Sequence, residues 1–147
     1  HFECLNKNLV GHNITNVKPI KKALFIKGGP LPFGGPSDNK TMRSLHTATW
    51  QDSKSDETVE CITIDKLFED EKIERVSLLK LDVEGSETEI VSSDSFARVA
   101  DKIDCIVGER HAWSGRHPHQ LDDALKNNGF SIEKILNDAN LFVAKRK

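Results

Sequence analysis

The fold of this chain depends first on the stretch Val76-Ser77-Leu78-Leu79-Lys80-Leu81-Asp82-Val83. Its apolar residues lack the strict alternation of a half-exposed strand, which is typical of a strand buried on both faces of a parallel sheet. A second stretch of this kind is Ile103-Asp104-Cys105-Ile106-Val107-Gly108. Between the two, Ser86-Glu87-Thr88-Glu89 predicts the start of a helix with a capping box. The order strand, helix, strand therefore predicts a βαβ unit.

The rest of the sequence continues this alternation of strands and helices. Pro118 suits the first position of the last helix, and Gly129 suits its end. The other predicted elements are a helix over residues 2–10, strands over 17–26 and 59–64, and closing strands over 130–136 and 140–144, joined by a turn at Asn137-Asp138. We therefore predict a partial Rossmann-like α/β fold with a mainly parallel sheet, helices on both faces and an antiparallel closing strand.

The length of 147 residues favours a single domain, residues 1–147. Within it, we expect residues 28–58 to form a loop or a weak hairpin that carries Leu45 and Trp50. The glycines of residues 28–36 suggest a phosphate-binding loop, but the prolines among them have no N–H to donate, and no Gly-Lys-Ser/Thr follows. We therefore expect no ligand in this segment.

Composition excludes several classes of function. Lys and Arg total 21 against 23 Asp and Glu, a net charge of −2, so the broad basic surface of a nucleic-acid or membrane-surface protein is not expected. The three cysteines form no Cys-x-x-Cys pair, which argues against a disulfide framework and a thiolate zinc site. A cytoplasmic location is the expectation that fits these cysteines best.

Charged side chains follow both buried strands at the point where each strand ends. Asp82 and Glu84 follow the first strand, and Glu109 and His111 follow the second. Ligands of open α/β sheets bind beyond the carboxyl ends of strands, so these groups converge if the two strands are neighbours. They could supply a general base, or hold a divalent metal through Asp82, Glu109 and His111. Lys80 is expected to neutralise a neighbouring carboxylate, because it shares a strand face with Asp82.

Each of these residues also has a structural interpretation. Without a functional role, Asp82 would accept hydrogen bonds from loop amides, and Glu84 would belong to a tight turn with Gly85 or cap the following helix. Glu89 is expected to act as the capping-box partner. His117 and His119 flank a helix start and are expected to be solvated rather than metal-bound.

Three segments carry a resemblance to a known family: Val59-Glu60-Cys61-Ile62-Thr63-Ile64-Asp65-Lys66-Leu67, Leu79-Lys80-Leu81-Asp82-Val83-Glu84-Gly85-Ser86-Glu87 and Ile106-Val107-Gly108-Glu109-Arg110-His111. Together they resemble the FkbM family of S-adenosylmethionine-dependent methyltransferases. The resemblance implies the methyltransferase version of the Rossmann sheet and O-methylation of a hydroxyl on a sugar or another small natural product.

The resemblance also implies roles for individual residues. Asp82, Glu84, Glu109 and His111 match the acidic signatures after the family's fourth and fifth strands, with Asp82 or His111 as the base. Glu84 and Glu109 would orient acceptor hydroxyls or help to hold a metal. The pair Ala23-Leu24 matches the end of the family's third strand, so both residues are candidates for contact with the cofactor.

The chain departs from the family at its beginning. The glycine-rich turn and the ribose-binding acid that hold S-adenosylmethionine are not in this sequence. We therefore expect the C-terminal part of a methyltransferase, incomplete for cofactor binding. The missing strands would lie between the strand ending near Leu24 and the strand ending at Asp82, which leaves the edge of residues 76–83 unpaired. An unpaired edge favours pairing with another chain, so we expect a homodimer or a strand swap there.

Two other functions remain open from the residues alone. One is a metal-dependent hydrolase or transferase that uses Asp82, Glu84, Glu109 and His111. The other is a non-catalytic α/β module that pairs with another subunit.

Overall fold

The computed structural model describes residues 1–35, 45, 54–111, 117–134 and 140–147. Five α-helices are described: α1 (Phe2–Gly11), α2 (Ile64–Asp70), α3 (Glu87–Ser92), α4 (Asp94–Ala97) and α5 (Pro118–Asn127), with a 3₁₀ turn at Ala100–Lys102. The strands are β1 (Ala23–Leu24), β2 (Gly29–Gly35), β3 (Lys54–Ile62), β4 (Leu79–Leu81), β5 (Cys105–Glu109), β6 (Phe130–Lys134) and β7 (Leu141–Arg146).

The strands form two mixed sheets. In the four-stranded sheet, of order β4-β5-β7-β6, β4 and β5 are parallel, and β7 pairs antiparallel with both β5 and β6. In the three-stranded sheet, of order β1-β3-β2, β1 is parallel to β3 and β2 is antiparallel to it. The α/β class is thus as predicted, and the two closing strands are β6 and β7. Their predicted turn lies outside the described residues.

The prediction of a mainly parallel sheet is not confirmed, because both sheets are mixed. The parallel pair β4–β5 has helices α3 and α4 between its strands, as a parallel crossover requires. Strands β6 and β7 follow one another directly along the chain, and such a connection returns the strand in the opposite direction. The short connection therefore decides the antiparallel pairing of β6 with β7.

Strand β2 replaces part of the loop predicted at residues 28–36. It pairs with β3 from Gly29↔Cys61 to Gly35↔Lys54, so this part of the predicted excursion is an antiparallel strand pair. Its prolines are tolerated because β2 is at the edge of its sheet, where one row of backbone N–H groups has no ladder partner. The strand predicted over 17–26 is shorter, with only Ala23–Leu24 paired. The predicted position of Trp50 is outside the described residues.

The hydrophobic core lies between the four-stranded sheet and its helices. Helix α5 contributes Leu121 and Leu125, which are spaced by one turn and are buried. On the sheet side, Ile106 and Phe142 are buried across the β5–β7 pair. A Cβ atom at Gly108 would lie 2.3 Å from the carbonyl oxygen of Leu81 and 2.7 Å from Cζ of Phe142. The close packing of β4, β5 and β7 therefore requires glycine at this position.

Strand β4 is at the edge of the four-stranded sheet. Just before it, the side chain of Leu78 is exposed (58%). Within the described ranges, no helix has the length and apolar composition needed to cross a membrane.

Candidate functional site

Two adjacent parallel strands bring the predicted acidic residues to one edge of the sheet. Leu81 of β4 is the register partner of Gly108 of β5. Asp82 and Glu109 come next in each strand, so both lie at the carboxyl ends of neighbouring strands. This is the position at which α/β sheets bind ligands.

The turn after β4 has an unusual backbone. Glu84 has φ 51° and Gly85 has φ 101°, so both lie in the left-handed region. Glycine adopts this conformation without strain, whereas glutamate adopts it only where the surrounding structure compensates. A strained non-glycine residue in a turn beside a cluster of charges is a frequent feature of functional sites.

A buried carboxylate, Glu87, holds this turn together. Its Oε1 accepts a hydrogen bond from the backbone N–H of Val83 at 2.9 Å, and its Oε2 accepts one from the N–H of Gly85 at 3.1 Å. The residue is 2% exposed. Backbone donors thus compensate a carboxylate whose burial would otherwise be unfavourable.

Glu87 also orients His111. Nδ1 of His111 lies 2.9 Å from Oε1 of Glu87, and the His111 side chain is only 8% exposed. Because a carboxylate accepts hydrogen bonds, the ring nitrogen at this contact carries the proton. In the neutral imidazole, the other nitrogen, Nε2, then presents its lone pair.

Nε2 of His111 faces two more carboxylates. Oε2 of Glu84 lies 3.4 Å from Nε2 of His111, and Oδ1 of Asp82 lies 3.9 Å from it. One ligand atom from each of Asp82, Glu84 and His111 lies within 4.8 Å of the others. The arrangement can accept a proton, hydrogen-bond hydroxyl groups or hold a cation.

Electrostatics at the site are dominated by negative charge. The pKa of Glu84 is raised, first by burial and then by the neighbouring carboxylates of Asp82, Glu109 and Glu87, although His111 works in the opposite direction. Lys80 offsets part of this charge, because its Nζ lies 2.7 Å from Oδ2 of Asp82. The contact raises the pKa of Lys80 and agrees with the neutralising role predicted for it.

The other predicted site residues are not part of this group of close ligand atoms. Glu109 is near enough to affect the pKa of both Glu84 and Lys80, but the group of close ligand atoms contains Glu84 in place of Glu109. Ala23 and Leu24 form β1 in the other sheet, and Leu24 packs against the hydrophobic core. Their contact with a cofactor stays a prediction. His117 and His119 are exposed, as expected.

Glu87 is the functional candidate that the sequence analysis missed. The predicted capping box is wrong, since the side chain of Ser86 makes no capping hydrogen bond to α3. One feature of the sequence could have identified Glu87 as a candidate. It is the last residue of the segment Leu79–Glu87, one of the segments that resemble the family. A glutamate after a glycine turn and before a buried helix face has few ways to remain charged except by accepting backbone hydrogen bonds.

The Thr63-Ile64-Asp65 part of the family resemblance has a structural role. Thr63 Oγ1 donates to Oδ1 of Asp65 at 2.5 Å, and Nε of Arg98 donates to Oδ2 at 2.9 Å. These bonds attach the start of α2 to the residue that follows α4. This segment therefore supports the fold.

In the comparison with protein families, residues 2–132 match the methyltransferase FkbM domain. Neither the curated proteins nor the solved structures contain a match to this chain. The matched range includes β4, β5 and every residue of the cluster around His111. The chain therefore belongs to the FkbM methyltransferase family.

Proposed function

We propose that this chain carries the acceptor-binding part of an S-adenosylmethionine-dependent O-methyltransferase, which acts on a hydroxyl of a sugar or another small natural product. The observation that carries the proposal is the buried Glu87–His111 pair facing Asp82 and Glu84, in a chain of the FkbM family. The parallel neighbours β4 and β5, joined through α3 and α4, support a Rossmann-like sheet.

A neutral hydroxyl is a poor nucleophile, so its proton must leave as the new O–C bond forms. Nε2 of His111 is the atom that takes this proton. Glu87 holds the opposite ring nitrogen at 2.9 Å and stabilises the imidazolium that results. A buried carboxylate beside a catalytic histidine commonly has this role.

The carboxylates around His111 would orient the acceptor. Asp82 and Glu84 accept hydrogen bonds from hydroxyl groups, and sugars offer several such donors in fixed positions. Glu109, at the end of the adjacent strand, would accept from a further hydroxyl. Holding the nucleophilic oxygen in line supplies much of the rate of a displacement reaction.

When bound, S-adenosylmethionine supplies the methyl group that is transferred. The described residues fit the acceptor rather than this donor. The turn after β4 contains a glycine, but the N–H of Gly85 is already donated to Glu87 and does not form a phosphate or carboxylate cradle. Ala23 and Leu24 remain the candidates for cofactor contact.

The test is methyl transfer from radiolabelled S-adenosylmethionine to a panel of sugars and hydroxylated small molecules, measured with the full-length gene product. His111→Gln should lower the rate about 100-fold or more, because the general base is lost. His119→Gln is the matched control, since His119 is exposed on α5, and it should leave the rate unchanged. Transfer to no hydroxyl compound, or equal rates for wild type and His111→Gln, would contradict the proposal.

A further inference from the structure

We propose that Asp82, Glu84 and His111 form a binding site for a divalent cation. The role of the ion in methyl transfer rests on the proposed function, but the binding itself does not. The ligands would be one oxygen of each carboxylate and Nε2 of His111.

The spacing of the three ligand atoms suits a metal ion. Two ligands that each lie about 2.1 Å from an ion are about 3.0 Å apart in octahedral geometry and about 3.4 Å apart in tetrahedral geometry. Nε2 of His111 lies 3.4 Å from the Glu84 oxygen and 3.9 Å from the Asp82 oxygen. All three ligand atoms lie within 4.8 Å of one another, so Asp82, whose side chain is exposed, would move closer to His111 when an ion binds.

The orientation of His111 is that of a metal ligand. Histidines that bind metals nearly always donate their other ring N–H to a carboxylate or a carbonyl group. Here Glu87 is that carboxylate, and two backbone N–H groups hold it in place. The imidazole is therefore oriented before any ion arrives.

The charges of the site favour a cation, because the carboxylates of Glu84 and Asp82 face the same imidazole nitrogen, Nε2 of His111. Lys80 does not provide that charge, because it contacts Oδ2 of Asp82 while Oδ1 faces His111. Either a second proton on His111 or a divalent ion satisfies the arrangement, and the experiment below separates the two.

The ligand types indicate which ion binds. One imidazole nitrogen with two carboxylate oxygens suits Mn²⁺, Fe²⁺ or Zn²⁺ better than Ca²⁺, which prefers oxygen ligands alone. Three protein ligands leave positions open on the ion for an acceptor oxygen. An ion at this place would lower the pKa of the bound hydroxyl, whose proton would then pass to a nearby carboxylate oxygen that does not bind the ion.

The first experiment measures the binding of Mn²⁺ alone, without S-adenosylmethionine, to chelator-treated protein by electron paramagnetic resonance. We expect saturable binding of one ion per chain. His111→Gln should weaken it at least about 10-fold, and Glu87→Gln should weaken it about 10- to 100-fold without removing a ligand. Glu133→Gln, an exposed carboxylate paired with Lys145, is the matched control and should not change the affinity.

The second measurement is thermal unfolding with and without Mn²⁺, since an ion that binds only the folded state raises the melting temperature. The rise should occur in wild type and be absent in Glu84→Asn, a variant suited to the positive φ at this position. No saturable binding in wild type, or equal binding in wild type and His111→Gln, would overturn the metal proposal and favour the second proton. If the protein binds Mn²⁺ but transfers no methyl group, the result contradicts the proposed function and leaves the metal site standing. If methyl transfer continues after chelator treatment and no Mn²⁺ binds, the result contradicts the metal site and leaves the proposed function standing.

Discussion

Nδ1 of His111 and Oε1 of Glu87 lie 2.9 Å apart, although 24 positions separate the two residues along the chain. The contact joins the start of α3 to the residues that follow β5. Both side chains are almost fully buried. Because the same carboxylate accepts N–H groups from the turn after β4, this one pair links both predicted halves of the site.

Glu87→Gln should disturb the contacts that orient His111. Oε1 of Glu87 accepts from Val83 and contacts Nδ1 of His111, and Oε2 accepts from Gly85, so in either orientation the amide N–H₂ would face at least one hydrogen-bond donor. We expect a loss of methyl transfer of about 10- to 100-fold with the fold retained. The tautomer can be read from the ¹⁵N chemical shifts of the His111 ring. A methyl-transfer rate and His111 ring shifts equal to those of wild type would mean that Glu87 does not orient His111.

Glu84→Gly should lower the rate of methyl transfer while changing the stability of the protein only slightly. The left-handed backbone at Glu84 disfavours a side chain by about 1–2 kcal/mol, whereas glycine loses about 0.5–1 kcal/mol through its larger entropy in the unfolded chain. The free energy of unfolding in urea should therefore stay within about 1 kcal/mol of wild type, while methyl transfer falls. Gly85→Ala is the contrasting variant, because its φ of 101° strains any side chain, and it should be clearly less stable. A Glu84→Gly variant that unfolds much more easily would indicate that the carboxylate is structural.

Gly108→Ala should be among the most destabilising single changes in the sheet. The added Cβ would lie 2.3 Å from the carbonyl oxygen of Leu81, and a backbone atom cannot move away without separating β4 from β5. We expect a loss of about 3 kcal/mol or more in guanidinium unfolding. Gly11→Ala is the control, since nothing lies within 4 Å of its added Cβ, and it should be neutral or slightly stabilising. Equal stability of the two variants would contradict the packing described for β4, β5 and Phe142.

Asp65→Asn should reduce the stability of the protein in a pH-dependent way. Burial works to raise the pKa of the Asp65 carboxyl, but hydrogen bonds from Thr63 and Arg98 outweigh it, so the pKa is lowered from its ordinary value. A lowered carboxyl pKa stabilises the folded state at pH values above the unfolded-state pKa of about 3.9, and this contribution is lost as the pH falls through the folded-state pKa.

We expect Asp65→Asn to lose about 1 kcal/mol of unfolding free energy at neutral pH. The difference from wild type should shrink steadily as the pH is lowered below about 4, as followed by urea titrations at several pH values. Glu74→Gln, an exposed carboxylate in a loop, is the control and should show little difference at any pH. A difference that does not depend on pH would mean that the ionised form of Asp65 is not what stabilises α2.

We propose that the protein forms a homodimer or exchanges strands through the edge of β4, as expected from the sequence. The strand is at the edge of its sheet, and Leu78 beside it is exposed. Light scattering coupled to size-exclusion chromatography should show a concentration-dependent dimer. Leu78→Lys should shift it to monomer, because a charge on an edge strand opposes pairing. A wild-type protein that stays monomeric at all concentrations would rule out this interface.

Local patterns were enough to predict the elements that build the site. The apolar stretch at 76–83 became β4 with a parallel bridge at Val76↔Ile103, and the stretch at 103–108 became β5. The strands lie where the apolar runs predicted them, but the predicted burial on both faces is wrong. Strand β4 is a three-residue edge strand with Lys80 exposed, and β5 alternates between buried and half-buried residues. The prolines of β2 led to the prediction of a loop at residues 28–36. A strand with prolines is tolerated at the edge of a sheet, and the position of β2 in the sheet is not visible in the sequence.

The sequence by itself determined that acidic residues follow two buried strands, since strand ends are marked by the point at which the apolar run stops. It also determined the family, through residues close together along the chain. Only the tertiary structure decided that Glu84, rather than Glu109, joins Asp82 and His111, and that Glu87 orients the imidazole. The reason is physical: the role of a carboxylate depends on which donors lie within about 3 Å of it. Those donors come from segments far apart in the chain.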